Sequence, residues 1–193
     1  MMQEKKIYIL LTDTGTVFTR MIRLYTKKPY NHASISCDPD LVRLYSFGRK
    51  RPRNPFIGGF VKEDMQAGLL KQATGAIYCC TVNEMQIQKM NEYIQTMEEQ
   101  AHLYRYNLIG LFAIMFNKPM KRKNAFFCSQ FVASVLKECE IIDFQKPLSL
   151  ITPHDLQEAE NFQLVYQGNL KDYTKERTTR NIDMEDSTDM VTC

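Results

Sequence analysis

The chain has 193 residues, 44% apolar and 24% charged, a balance that suits one soluble globular domain with a full core and excludes a disordered or fibrous chain. Its net charge of +3 is too small to argue for a nucleic-acid partner, and no run is long and apolar enough to span a bilayer. The apolar stretch near the N-terminus, residues 7–11, is shorter than the core of a signal peptide, roughly 7–15 residues, and reads as a buried strand. The expectation is a cytoplasmic protein with reduced thiols, because the six cysteines show neither a C-x-x-C pair nor the spacing of a disulfide scaffold.

Taken in chain order, residues 6–11 form the first strand candidate, and the turn signal Thr12-Asp-Thr-Gly15 closes it. Residues 16–25 have helical spacing, with Val17, Met21 and Leu24 near one face. Residues 32–37 and 41–47 alternate around the tight connection Asp38-Pro-Asp40 and form an antiparallel pair. Residues 49–75 are rich in Gly, Pro and charge, so the expectation there is loop with short strand pieces. A strand at 76–82 follows. Asn83 is an N-cap for a helix over 84–101, and the apolar segment 106–116 reads as a buried helix. Residues 128–141 form a helix lined by Phe131, Val132, Val135, Leu136 and Cys139. Thr152-Pro-His-Asp155 carries an N-cap, a proline at the first helical position and a carboxylate in the first turn, so it starts a short helix. A last strand lies over 162–166. The fold class this implies is α+β, an antiparallel sheet packed against helices, with one domain over 1–170 and a polar, mobile tail over 171–193.

Charge is unevenly spread: residues 1–60 hold eleven Lys/Arg and four Asp/Glu. The run Arg49-Lys-Arg-Pro-Arg53 is foremost a solvated loop, with a collar for an anionic group or an anionic membrane surface as the functional alternative.

A thiol nucleophile needs a stabilised thiolate, access and a proton acceptor. Cys128 begins a helix, where partial positive charge and free N–H groups favour a thiolate and can hold an oxyanion. On position alone a buried structural cysteine is an equal reading. Of the three histidines, His102 reads as a surface residue at a helix end and His154 as part of a cap. His32 opens a strand, a rigid mounting for a general base. A zinc site built on His32, Cys37 and another cysteine lacks any recognised ligand spacing.

Together Tyr30-Asn-His-Ala-Ser-Ile-Ser36, Leu44-Tyr-Ser-Phe-Gly-Arg49, Phe127-Cys-Ser-Gln-Phe-Val-Ala133 and Thr152-Pro-His-Asp-Leu156 resemble the circularly permuted papain-like proteins of the NlpC superfamily, of the YiiX and YaeF type and more distantly lecithin retinol acyltransferase. The resemblance runs from about residue 6 to about residue 170, with histidine before cysteine. It implies a permuted papain-like fold and a thiolate–imidazolium pair of Cys128 and His32. It also implies a third polar residue orienting the histidine from the neighbouring strand, for which the matching position is Ser46. A serine hydroxyl accepts an imidazole N–H but cannot pair with an imidazolium charge, so this position departs from relatives that carry a carboxylate or histidine there. Ser129, Tyr106 (or Tyr104) and Tyr30 are the expected oxyanion or substrate contacts. The implied activity is a cysteine-dependent hydrolase of amide bonds, a peptidase or amidase acting on a small peptide, amidated or acyl substrate, with no cofactor and no metal. The alternatives are a lipid-directed acyltransferase or thioesterase-like hydrolase, and a catalytically idle binding module. No sequence pattern specifies an oligomeric state.

Overall fold

The computed structural model describes residues 4–15, 23, 27–51, 54–68, 70–115, 118–120 and 122–173. The helix expected over 16–25, apart from Arg23, lies outside them, as do Pro52, Arg53 and Lys121 of the basic runs and the tail beyond Tyr173.

The first strand, β1 (Lys5–Asp13), is buried along six consecutive residues, Ile7 to Thr12, because it lies inside the sheet with both faces covered. It pairs antiparallel with β2 (His32–Ser36) on one side and with β5 (Thr74–Val82) on the other. β3 (Leu44–Arg51) and β4 (Asn54–Glu63) extend the sheet beyond β2, and β8 (Gln163–Asn169) closes the opposite edge. The result is a six-stranded sheet, order β4-β3-β2-β1-β5-β8, with every neighbouring pair antiparallel. Two two-residue strands, β6 (Arg105–Tyr106) and β7 (Ala125–Phe126), form a separate parallel ladder.

Alternation along the strands builds two cores. Ile7, Ile9, Leu11, Ala33 and Ile35 meet Met90 and Ile94 of helix α1 (Glu84–Glu99) and Phe131, Val132 and Val135 of helix α3 (Cys128–Glu138). Tyr8, Leu10, Leu44 and Ile77 meet Leu70, Leu170 and Tyr173. Each fully buried Ile or Leu here contributes on the order of 1.5–3 kcal/mol. Between α1 and α3 lies the apolar helix α2 (Leu108–Met115), and a short helix α4 (Pro153–Gln157) precedes β8.

Two expectations need correction. Residues 49–75 are not mainly loop, since β4 runs for ten residues through Gly58-Gly59. Gly58 is required there because a Cβ would stand 2.5 Å from the Gly48 carbonyl oxygen and 2.7 Å from Tyr106 Cβ. Helix α3 stops at Glu138 rather than 141. Glu140 adopts a left-handed φ of 55°, its N–H reaches the Lys137 carbonyl at 3.0 Å, and the Ile141 N–H reaches the Leu136 carbonyl at 2.9 Å. The described residues also continue three positions past residue 170. Tyr173, one helical turn past Leu170, is buried and its hydroxyl donates to the Pro39 carbonyl at 2.7 Å.

Candidate functional site

Cys128 is the first residue of α3. Its N-cap is Phe127, which is extended and has no side chain able to satisfy the helix's first N–H groups. The helix is instead fixed from the side. Ser129 is buried and its hydroxyl donates to the Ile151 carbonyl at 2.7 Å. Ile151 precedes the capping box of Thr152 and Asp155, in which the Thr152 N–H donates to Asp155 Oδ2 at 2.7 Å and the Asp155 N–H donates to Thr152 Oγ1 at 3.3 Å. Although burial opposes it, hydrogen bonds from Lys146 and Thr152 hold the Asp155 carboxyl below its ordinary range. The Thr-Pro-His-Asp motif thus braces the cysteine helix through Ser129. The Ser129 hydroxyl is committed to that brace, so an oxyanion role for this residue falls to its backbone N–H.

The segment before Cys128 is held by the β6–β7 ladder. The Arg105 N–H donates to the Asn124 carbonyl at 2.9 Å and the Asn107 N–H donates to the Phe126 carbonyl at 2.8 Å. Tyr106 lies against Gly58 and opposite Phe126, two residues before the cysteine. Tyr104 belongs to an aromatic cluster instead, its ring centroid 6.0 Å from Phe47 and 6.1 Å from Phe126.

His32 opens β2 with its side chain 14% exposed. Its Nε2 stands 2.8 Å from Glu63 Oε1, at the far end of β4. Ser34, two residues along β2 and on the same face, donates a very short hydrogen bond to Glu63 Oε2. Burial pushes the imidazole toward neutrality, but the Glu63 charge, the Cys128 hydrogen bond, the Glu63 hydrogen bond and the Cys128 charge outweigh it. The histidine is therefore held protonated well above its ordinary range. With Nε2 committed to Glu63, Nδ1 is the ring nitrogen left for the thiol.

Ser46, the position expected to orient His32, lies beside the same ring nitrogen as Glu63. Ser46 is fully buried, and its hydroxyl donates to the Ala33 carbonyl at 2.8 Å while standing 3.4 Å from His32 Nε2. The carboxylate missing from the Ser46 position is supplied by Glu63, one strand further out. Tyr30 packs away from solvent. It is buried in the core, and its hydroxyl accepts a hydrogen bond from Gln167 of the edge strand β8 at 3.0 Å. His154 accepts from Lys28, with Nζ and Nε2 2.8 Å apart, and His102 is exposed.

Three other thiols lie in settings that hold them protonated. Burial pushes Cys37 and Cys139 up to about 11 and raises Cys80, so all three are protonated near neutrality. His32 opens β2 and Cys37 directly follows its last residue, about 16 Å away at the rise of an extended strand, too far to share a metal ion. Among the described residues no three His, Cys, Asp or Glu side chains gather as metal ligands. No helix among them is long and apolar enough to cross a membrane.

Comparison of the chain with protein-family models, curated proteins and solved structures gives no match.

Proposed function

We propose that the protein is a cysteine-dependent hydrolase of amide bonds on a permuted papain-like fold, in which Cys128, His32 and Glu63 act as a relay. The observation that carries this reading is the position of His32 between a carboxylate and a thiol that begins a helix. A base oriented by a third group is the recurring arrangement of thiol hydrolases.

In the first half-reaction the Cys128 sulfur attacks the substrate carbonyl, and backbone N–H groups at the start of α3, those of Cys128 and Ser129, donate hydrogen bonds to the developing oxyanion. The C–N bond then breaks, and the departing amine takes its proton from His32, leaving a thioester on Cys128. In the second half, His32 removes a proton from water, which attacks the thioester and releases the carboxylic acid and the thiol. Glu63 keeps His32 in the correct orientation. No cofactor enters either half. Esters can follow the same route, with an alcohol as leaving group.

The idle-module reading drew its strength from a serine in the orienting position, and Glu63 removes that reason. Trapping tests the proposal. Incubation with an activated aryl ester or anilide should leave an acyl mass on Cys128 in the intact protein, with a burst of the aryl leaving group. The burst should vanish in Cys128→Ser. An unchanged burst in that variant, or labelling of another residue, overturns the assignment.

A further inference from the structure

Between Glu99 and Glu138 the sequence contains no Asp or Glu, yet it holds six Lys and Arg. The candidate nucleophile lies inside this acid-free stretch. So does α2, whose eight residues include no polar side chain. Ile109, in the first turn of α2, is 54% exposed, and Leu103, in the turn before β6, is 48% exposed. Arg105, Lys118, Arg122 and Lys123 are exposed, and none takes part in an ion pair among the described residues. The β6–β7 ladder ties the start of α2 to the end of the basic loop through the Arg105–Asn124 and Asn107–Phe126 backbone hydrogen bonds. Apolar and cationic groups are thereby held together on the segment that leads into Cys128.

A single exposed isoleucine needs no explanation, and a basic loop by itself is usually a solvated surface. The combination differs. A soluble anion or a nucleic-acid backbone would be satisfied by the cations alone and gives Ile109 and Leu103 nothing to bury. An anionic bilayer satisfies both, since its headgroups attract lysine and arginine and its acyl boundary takes up exposed aliphatic side chains. The absence of any carboxylate over the whole stretch removes the repulsion such a surface would otherwise exert.

We propose that Leu103, Arg105, Ile109, Lys118, Arg122 and Lys123 belong to a docking face for an anionic lipid bilayer. Ile109 and Leu103 enter the headgroup region, while Arg105, Lys118, Arg122 and Lys123 contact lipid phosphates and carboxylates. Docking brings the Cys128 segment to the interface, so the carbonyl substrate is membrane-borne, an acylated amphiphile rather than a freely diffusing peptide. That last step rests on the thiol–imidazole reading, whereas the docking itself does not.

The test is vesicle flotation with the full-length Cys128→Ser protein, using phosphatidylcholine vesicles with and without phosphatidylserine. The expected result is partitioning onto phosphatidylserine-containing vesicles only, released by salt. Ile109→Glu should lower it severalfold, and Arg122→Glu with Lys123→Glu by roughly fivefold or more per charge. Both variants should melt like the parent, because the substituted side chains are exposed. Three results overturn the proposal: no partitioning, equal partitioning onto neutral vesicles, or partitioning that survives both sets of substitutions. Retention on a heparin column without vesicle binding also overturns it and assigns the basic loop to a soluble polyanion. Because the nucleophile is absent from this assay, docking and thiol chemistry fail separately: vesicle binding by a protein whose Cys128 proves unreactive leaves the face standing without its membrane-borne substrate.

Discussion

His32 Nε2 and Glu63 Oε1 stand 2.8 Å apart, although the residues are 31 positions apart in sequence and lie on strands separated by a third. The contact gives the imidazole a fixed charge partner and leaves its other nitrogen to the thiol. It also ties the geometry of the candidate site to the pairing of β2, β3 and β4.

Glu63→Gln keeps the size of the side chain and removes its charge. The largest force holding His32 protonated is then lost, so its titration midpoint, followed by imidazole NMR, should fall toward the ordinary histidine range. Thiol reactivity at neutral pH should drop by roughly tenfold or more, the equivalent of about one pKa unit. An unmoved midpoint would mean that Glu63 does not govern the histidine.

Ser46→Ala separates the two candidate orienting residues. Its hydroxyl bonds chiefly to the Ala33 carbonyl, so the loss should appear as stability, about 1 kcal/mol in a denaturant titration. Cys128 reactivity should stay within about twofold, since the His32–Glu63 contact is untouched. A loss matching that of Glu63→Gln would restore Ser46 to the orienting role.

The His32 charge also predicts a pH dependence of folding. Its folded pKa lies above the unfolded value near 6.5, so its contribution is fully present below about pH 6.5 and is lost as pH rises through the folded value. Urea midpoints measured on the alkaline side of pH 6.5 should fall in the parent and fall less steeply in Glu63→Gln. Parallel slopes in the two proteins would contradict the assignment.

Gly58→Ala places a methyl group against the Gly48 carbonyl and Tyr106. The strand or the β6–β7 ladder must move, at a cost of about 1–3 kcal/mol. Because Tyr106 and Phe126 are paired in that ladder and Phe126 is two residues from Cys128, thiol reactivity should fall along with the melting temperature. A variant that melts normally would show that the packing there is loose.

Much of this architecture was legible in the sequence where local periodicity and burial agree. The apolar run at residues 7–11 marks a strand covered on both faces, the Asn83 cap marks the start of α1, and the spacing of Phe131, Val132 and Val135 marks α3. His32 and Cys128 were legible because each begins an element. Glu63 was not, since its role depends on register. β4 pairs Glu63 with Leu44, and only that long-range pairing carries the carboxylate toward His32. The Gly-Pro-rich composition of 49–75 hid the strand, although the apolar pair Phe60 and Val61 before Lys62 and Glu63 was a faint signal of one. The contact between the Tyr30 hydroxyl and Gln167 was not legible either, because it joins residues 137 positions apart.

The most direct test of the central claim is the pH profile of iodoacetamide alkylation, mapped by mass spectrometry, in the parent, His32→Ala and Glu63→Gln. Cys37 and Cys139, pushed up to about 11, should stay unlabelled near neutrality and serve as internal controls. The account predicts rapid labelling of Cys128 well below the ordinary free-thiol pKa of about 8.5, with the advantage lost in His32→Ala and reduced in Glu63→Gln. Labelling of Cys128 that rises only above pH 8.5, or that is the same in all three proteins, would contradict it.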